Sequence, residues 1–152
     1  MYTRILIPIE HSQADRTIVD HAGKLARLTG AHLILLHVAD GWAARAFNEL
    51  QLRESEEMRD DRAYLEQLTA ELNGQGLPTE WRLRCGDPAT EIIRFAHEES
   101  VDLVAMSTHG HRGLSDLVRG TTVNRVRHEL SIPVLLVKAR HDPADDRPSS
   151  AG

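Results

Sequence analysis

Five short strand-like segments, most of them apolar throughout, each followed by a segment of helical spacing or polar character, constrain this chain more than any other feature. ILIPI (residues 5–9) has no polar face, so it reads as a strand buried on both sides. Behind it, Ala14, Ile18, Ala22 and Leu25 recur at helical intervals and predict a helix that ends near Thr29-Gly30. HLILLHV (32–38) reads as a second buried strand. In the long polar segment that follows, Met58, Leu65, Leu68 and Leu72 mark one helical face. Its start falls anywhere from Ala43 to Ser55, and Asn73-Gly74-Gln75-Gly76 is a stop. TEWRLRC (79–85) alternates, as a strand nearer a sheet edge does. Gly86-Asp87-Pro88 is a turn, with Asp87 as helix N-cap and Pro88 as first helical residue. Ala89, Ile92, Ile93 and Ala96 carry that helix, VDLVAM (101–106) is a fourth strand, Val123, Val126 and Leu130 define another helix, and IPVLLV (132–137) is a fifth strand.

Strands that alternate with helices and are themselves continuously apolar point to an α/β fold: an open parallel sheet with helices on both faces. A chain of 152 residues fits one such domain. Residues 1–140 are read as that domain, and 141–152, HDPADDRPSSAG, as a polar, mobile tail. The formal net charge of -5 disfavours a broad nucleic-acid surface, which needs concentrated Lys and Arg. Cys85 is the single cysteine, so no internal disulfide forms, and it reads as a packing residue in a reducing cytoplasm. MYTRILIPIEHS lacks the features of a signal peptide, and the apolar runs are too short to span a bilayer. The expected setting is cytoplasmic, with no membrane contact.

The stretch with chemical potential is STHGHRGLSDLVRGTT (107–122), which follows the fourth apolar run. In open α/β sheets, ligands bind beyond the carboxyl ends of the strands. Gly110 and Gly113 loosen the backbone, and Gly120, Thr121 and Thr122 are placed at the opening of the next helix. Free N–H groups at a helix start, with hydroxyls from Ser107, Thr121 and Thr122, suit a bound phosphate. Glycine at 120 lets a phosphate approach the backbone, and Arg112 and Arg119 lie within reach of its oxygens. The same composition also serves an ordinary strand-to-helix loop. A Walker loop is excluded because no lysine is present, and the GxGxxG spacing is absent. His109 and His111 alone do not make a metal site, and no catalytic triad or metal cluster is evident.

Taken together, these segments resemble the universal stress protein (UspA-like) family. Its ATP-binding members carry GxxG, nine residues, then G[ST]. Here Ser107-Thr108-His109-Gly110 is followed by nine residues and Gly120-Thr121, with Ser107 in place of the first glycine. The likeness extends to ILIPIEHS, LLHVAD, CGDPATEII and SIPVLLVK, from about residue 3 to residue 138. It implies a Rossmann-like, adenine nucleotide alpha hydrolase-like sheet of order 3-2-1-4-5. It also implies an adenine nucleotide as ligand: ATP, with or without Mg2+, or else ADP or AMP. By resemblance, Pro8, Ile9 and Glu10 end the first strand at the nucleoside, Glu10 standing where relatives carry Asp. Val38 lines the adenine pocket, and Met106 and Ser107 flank the ribose. His109, Gly110, Arg112, Gly113, Gly120, Thr121 and Thr122 belong to the phosphate loop. The family's strand order puts the last strand at an edge, implying a homodimer through Val134, Leu135, Leu136 and Val137.

Three functions are compatible with this reading. One is a stress-response regulator that binds a nucleotide and signals through dimer contacts or a regulatory protein partner. Another is an interaction module of the same fold without nucleotide. The last is an enzyme: one acting on a phosphorylated substrate, for which Glu10, Asp40 and His109 are the candidates, or a slow ATP hydrolase.

Overall fold

Strand β1 (Arg4–Pro8) lies at the centre of the molecule because its residues are apolar on both sides: Ile5, Leu6 and Ile7 are wholly inaccessible to solvent. The computed structural model describes residues 1–40, 51–108 and 115–139. After β1 come α1 (Ala14–Thr29), β2 (His32–Asp40), α2 (Gln51–Gly74), β3 (Thr79–Gly86), α3 (Pro88–Glu98), β4 (Leu103–Thr108), α4 (Ser115–Glu129) and β5 (Val134–Lys138). The five strands form one sheet of order β3-β2-β1-β4-β5, every neighbouring pair parallel. This is the doubly wound arrangement that the alternation and the resemblance imply, with β3 and β5 at the edges.

Strand side chains alternate between faces, which explains why the central runs carry no polar face. Ile5, Ile7, Leu33 and Leu35 pack against Ile18, Val19, Ala22 and Ala26 of α1 and Leu65, Leu68 and Leu72 of α2. Leu6, Ile34, Leu36, Val104 and Met106 pack against Ile92, Phe95 and Ala96 of α3 and Val126 and Leu130 of α4. Helix α1 stops where Gly30 turns left-handed (φ 74°), its N–H donating to the Ala26 carbonyl. Helix α3 starts as its sequence predicts. Asp87 accepts from the Thr90 N–H at 3.0 Å and Pro88 is the first helical residue. At the other end of the sheet, Asp102 accepts from the Thr3 and Arg4 backbone N–H groups, tying the start of β1 to the approach of β4.

Two boundaries and the burial of one residue depart from the sequence-based expectation. β4 runs on to Thr108, because Ser107 and Thr108 pair with Val137 and Lys138 of β5. Backbone pairing, and not the end of the apolar run, sets that boundary. α4 begins at Ser115, so Gly120, Thr121 and Thr122 lie in its second turn and do not open it. Ser-Asp-Leu-Val-Arg contains no helix breaker, and a glycine inside a helix costs only about 1 kcal/mol against alanine. Cys85 is exposed near the end of edge strand β3, so it is not a packing residue. The tail from residue 141 and the loop residues His109, Gly110, Arg112 and Gly113 lie outside the described residues.

Candidate functional site

The strand order reverses between β1 and β4, and a cleft of about 340 Å³ opens at their carboxyl ends. That volume lies within the ordinary range of small-ligand sites. Pro8, Ile9 and Glu10 leave β1 on one side, and Leu36, His37 and Val38 of β2 continue that wall. Met106 and Ser107 of β4 form the floor, while Pro88 and Ile92 of α3 and Thr122 and Val123 of α4 close the opposite side. Most of the lining is aliphatic, and Glu10, Ser107 and Thr122 bring polar side chains to it. Such a surface offers an apolar slot for a flat ring with a few groups to orient it.

The fold therefore brings together Pro8, Ile9, Glu10, Val38, Met106, Ser107 and Thr122 from segments that are distant in the chain. Gly120 and Thr121 are exposed on α4 and do not line the cleft. Adding a Cβ at Gly120 meets no described residue within 4 Å, so packing among these residues does not demand glycine there. Asp40 ends β2 opposite Gly86. Ser107 is buried, as its place inside β4 requires.

The wall after β1 has its own scaffold. Asp15, in the first turn of α1, is 1% exposed. Its carboxylate accepts from the backbone N–H of Glu10 (2.9 Å), His11 (2.9 Å) and Ser12 (3.0 Å), and from the Tyr64 hydroxyl of α2 (2.8 Å). A buried charge persists when its oxygens are satisfied in this way. Burial first, and then the bond to Asp15, push the Tyr64 hydroxyl well above the ordinary tyrosine range, so it remains a donor. Held by Asp15, His11 takes a left-handed φ of 65°. Its ring stacks on Tyr64 with centroids 4.1 Å apart. The Ser12 hydroxyl donates to Glu10 at 3.2 Å, and the Ile9 N–H donates to the Leu36 carbonyl at 2.8 Å.

Sequence reasoning passed over Asp15, His37, Asp61 and Tyr64. Asp15 carried a readable signal, a carboxylate in the first turn of a helix just after a strand. His37 was adjacent to Val38 and would follow from the strand register. Asp61 and Tyr64 reach the site only through the docking of α2, which spacing cannot show. On the α3 side, Arg125 of α4 donates to Asp87 at 2.7 Å and to Thr90 at 3.3 Å, bracing the helix start beside the cleft. The Thr90 bonds and Arg125 together hold the Asp87 carboxyl below its usual range. Among the described residues, no group of three or more His, Cys, Asp or Glu side chains is placed to hold a metal ion, and no helix is long and apolar enough to cross a membrane.

Residues 1–138 match the model of the universal stress protein family. The chain belongs to the universal stress protein family. It is 27% identical to universal stress protein MJ0577 of Methanocaldococcus jannaschii over 161 aligned positions, covering 93% of this chain and 98% of that one. The solved structure of MJ0577 superposes with a TM-score of 0.77 at 26% identity, covering 93% and 99% of the two chains. A universal stress protein solved in complex with cAMP has a TM-score of 0.67 at 20% identity, over 91% of this chain and 98% of its own. The Archaeoglobus fulgidus protein solved in complex with dAMP has 0.63 at 20% identity, over 90% and 98%. At that identity, the likeness establishes the common fold.

Proposed function

We propose that this universal stress protein binds an adenine nucleotide, ATP foremost, in the cleft at the carboxyl ends of β1, β2 and β4, and acts as a stress-response regulator. The observation that carries the reading is the cleft itself, an apolar slot at the strand-order switch whose lining includes Pro8, Ile9, Glu10, Val38, Met106, Ser107 and Thr122. The base enters between the β1 and β2 walls and Met106. The ribose meets Ser107, and the phosphates extend past Thr122 toward Gly120 and the loop before α4. The complexes of two structural neighbours with cAMP and dAMP support a nucleotide in this fold. Any Mg2+ would arrive with the phosphates and keep most of its waters, since among the described residues Glu10 is the carboxylate in the cleft lining. Hydrolysis would be slow, because the described residues supply no two-metal carboxylate set.

The signal passes through a homodimer formed on β5, and from it to a regulatory partner. Support comes from the edge position of β5 and from Val134, Leu135, Leu136 and Val137, each only half-buried. An apolar edge strand invites pairing with a second copy. Sedimentation that finds a monomer would remove this part.

Calorimetric titration with ATP, ADP and AMP, with and without Mg2+, tests the binding. Wild type binds, and Gly120→Asp, which sets a negative charge beside the phosphate path, loses most of the affinity. No binding of any of the three makes the protein an interaction module, and Mg2+-dependent turnover makes it an enzyme.

A further inference from the structure

His37 sits between the end of β1 and α2, with an oxygen beside each of its ring nitrogens. Nδ1 lies 2.7 Å from the Ile9 carbonyl oxygen. A carbonyl only accepts, so Nδ1 carries a hydrogen. On the far side of the ring, Nε2 lies 3.3 Å from Asp61 Oδ2, with the ring 14% and the carboxylate 18% exposed. A neutral ring with its hydrogen on Nδ1 turns a lone pair toward that carboxylate. A ring with both hydrogens sets a positive charge beside it, which is favourable in a site largely shielded from water. The other oxygen, Asp61 Oδ1, is 2.8 Å from His11 Nδ1. His11 serves that contact with a single hydrogen, so it needs no charge there. Only the His37 contact depends on a second proton.

The groups that face this bridge come from each neighbouring element. The loop after β1 supplies Glu10 and His11, α1 supplies Asp15 behind Tyr64, and α2 supplies Tyr64 as well as Asp61. β3 packs Trp81 and Leu83 on this face, with exposed Cys85 farther along the strand. Ile9 and Glu10 line the cleft, so a ring that holds the Ile9 carbonyl from the α2 face also holds the wall against which a nucleotide would lie.

We propose that Asp61 and doubly protonated His37 act as a positioning pair for the nucleotide site, clamping α2 to the β1–β2 wall so that affinity falls as the second proton leaves His37. The proposal rests on the nucleotide reading above. It concerns residues that touch the wall, and neither is assigned to the chemistry of a reaction. Asp61→Asn separates the possibilities. Its amide can donate to a neutral Nε2 and its carbonyl can accept from His11, so the clamp holds without the second proton.

The test uses the full chain with histidine-specific ¹⁵N labelling and runs from about pH 5.5 to about pH 8.5, where histidine changes charge. Ring ¹⁵N shifts of His37 are followed without nucleotide, and ATP affinity is measured at the same pH values for wild type, Asp61→Asn and Asp61→Ala. The expected result is a ring with both hydrogens at low pH. As the second is lost, wild-type affinity drops about fivefold, a typical coupling between linked equilibria. Asp61→Asn keeps a nearly constant affinity, and Asp61→Ala is weak throughout. A His37 ring that stays neutral across the range overturns the proposal. So does a pH profile identical in wild type and Asp61→Asn, which would leave nucleotide binding intact. No ATP binding at any pH, with the ring shifts as expected, overturns the nucleotide reading and the positioning role together.

Discussion

Two walls face each other across the cleft, and they are built on opposite plans. On the β1 side, three successive backbone N–H groups end on one buried carboxylate, Asp15, which Tyr64 also holds. On the α4 side, Thr122 and Val123 close the cleft, and just beyond them Gly120 and Thr121 are exposed, with no described residue within 4 Å of a Cβ built at Gly120. The difference teaches where the fold has committed itself. One wall is completed by the protein's own hydrogen bonds and needs no ligand to hold its shape. Beside the other, the backbone at Gly120 stands clear of the described residues, which leaves room there for a ligand's phosphates.

The strongest way to break that contrast is Asp15→Ala, which orphans three part-buried N–H groups and the Tyr64 hydroxyl. It should destabilise the protein by about 3 kcal/mol, read by urea denaturation. A loss below about 0.5 kcal/mol, the level of an ordinary surface change, would mean that the wall is held by other contacts. Tyr64→Phe removes one bond and keeps the stack on His11, so it should cost about 1 kcal/mol in the same assay.

A smaller effect belongs to Asp87, which caps α3 beside the cleft. Asp87→Ala should cost about 1 kcal/mol at neutral pH, as loss of an N-cap does. Because its carboxyl is held below the ordinary range, the stabilisation is present above the unfolded-state pKa and fades as pH falls through the folded one. Wild type and Asp87→Ala should therefore converge in thermal stability in acid. Side-chain exposure of 57% keeps the effect modest. Convergence on the alkaline side would contradict the cap.

Gly120→Ala gives the smallest shift and the sharpest contrast. Inside a helix with no neighbour to strike, alanine should raise stability by about 0.8 kcal/mol. ATP affinity should fall in the same variant if phosphate needs close approach to that backbone. A variant that is more stable and binds equally well would make Gly120 a mere irregularity of α4.

The architecture was legible in the sequence because its signal is local. Runs such as ILIPI and HLILLHV announce strands buried on both faces, and Asp87-Pro88 announces a helix start. The strand order came from the likeness to a family. The cleft was partly legible, since Glu10, Val38 and Met106 stand at or beside the ends of apolar runs. What could not be read there depends on pairing and docking. Ser107 belongs to β4 because β5 pairs with it, and α4 starts five residues before Gly120 because nothing between forbids it. Asp61 meets His37 only once α2 has packed on the sheet, 24 residues farther along the chain.

The central claim is that an adenine nucleotide occupies the cleft between these two walls. Backbone amide shifts of the ¹⁵N-labelled protein during ATP titration test it most directly. The account predicts saturable changes concentrated at Ile9, Glu10, Val38, Met106, Ser107 and Thr122, with β3 and the exposed face of α2 unchanged. Changes confined to β3 and α2, or no changes at saturating ATP, would contradict it.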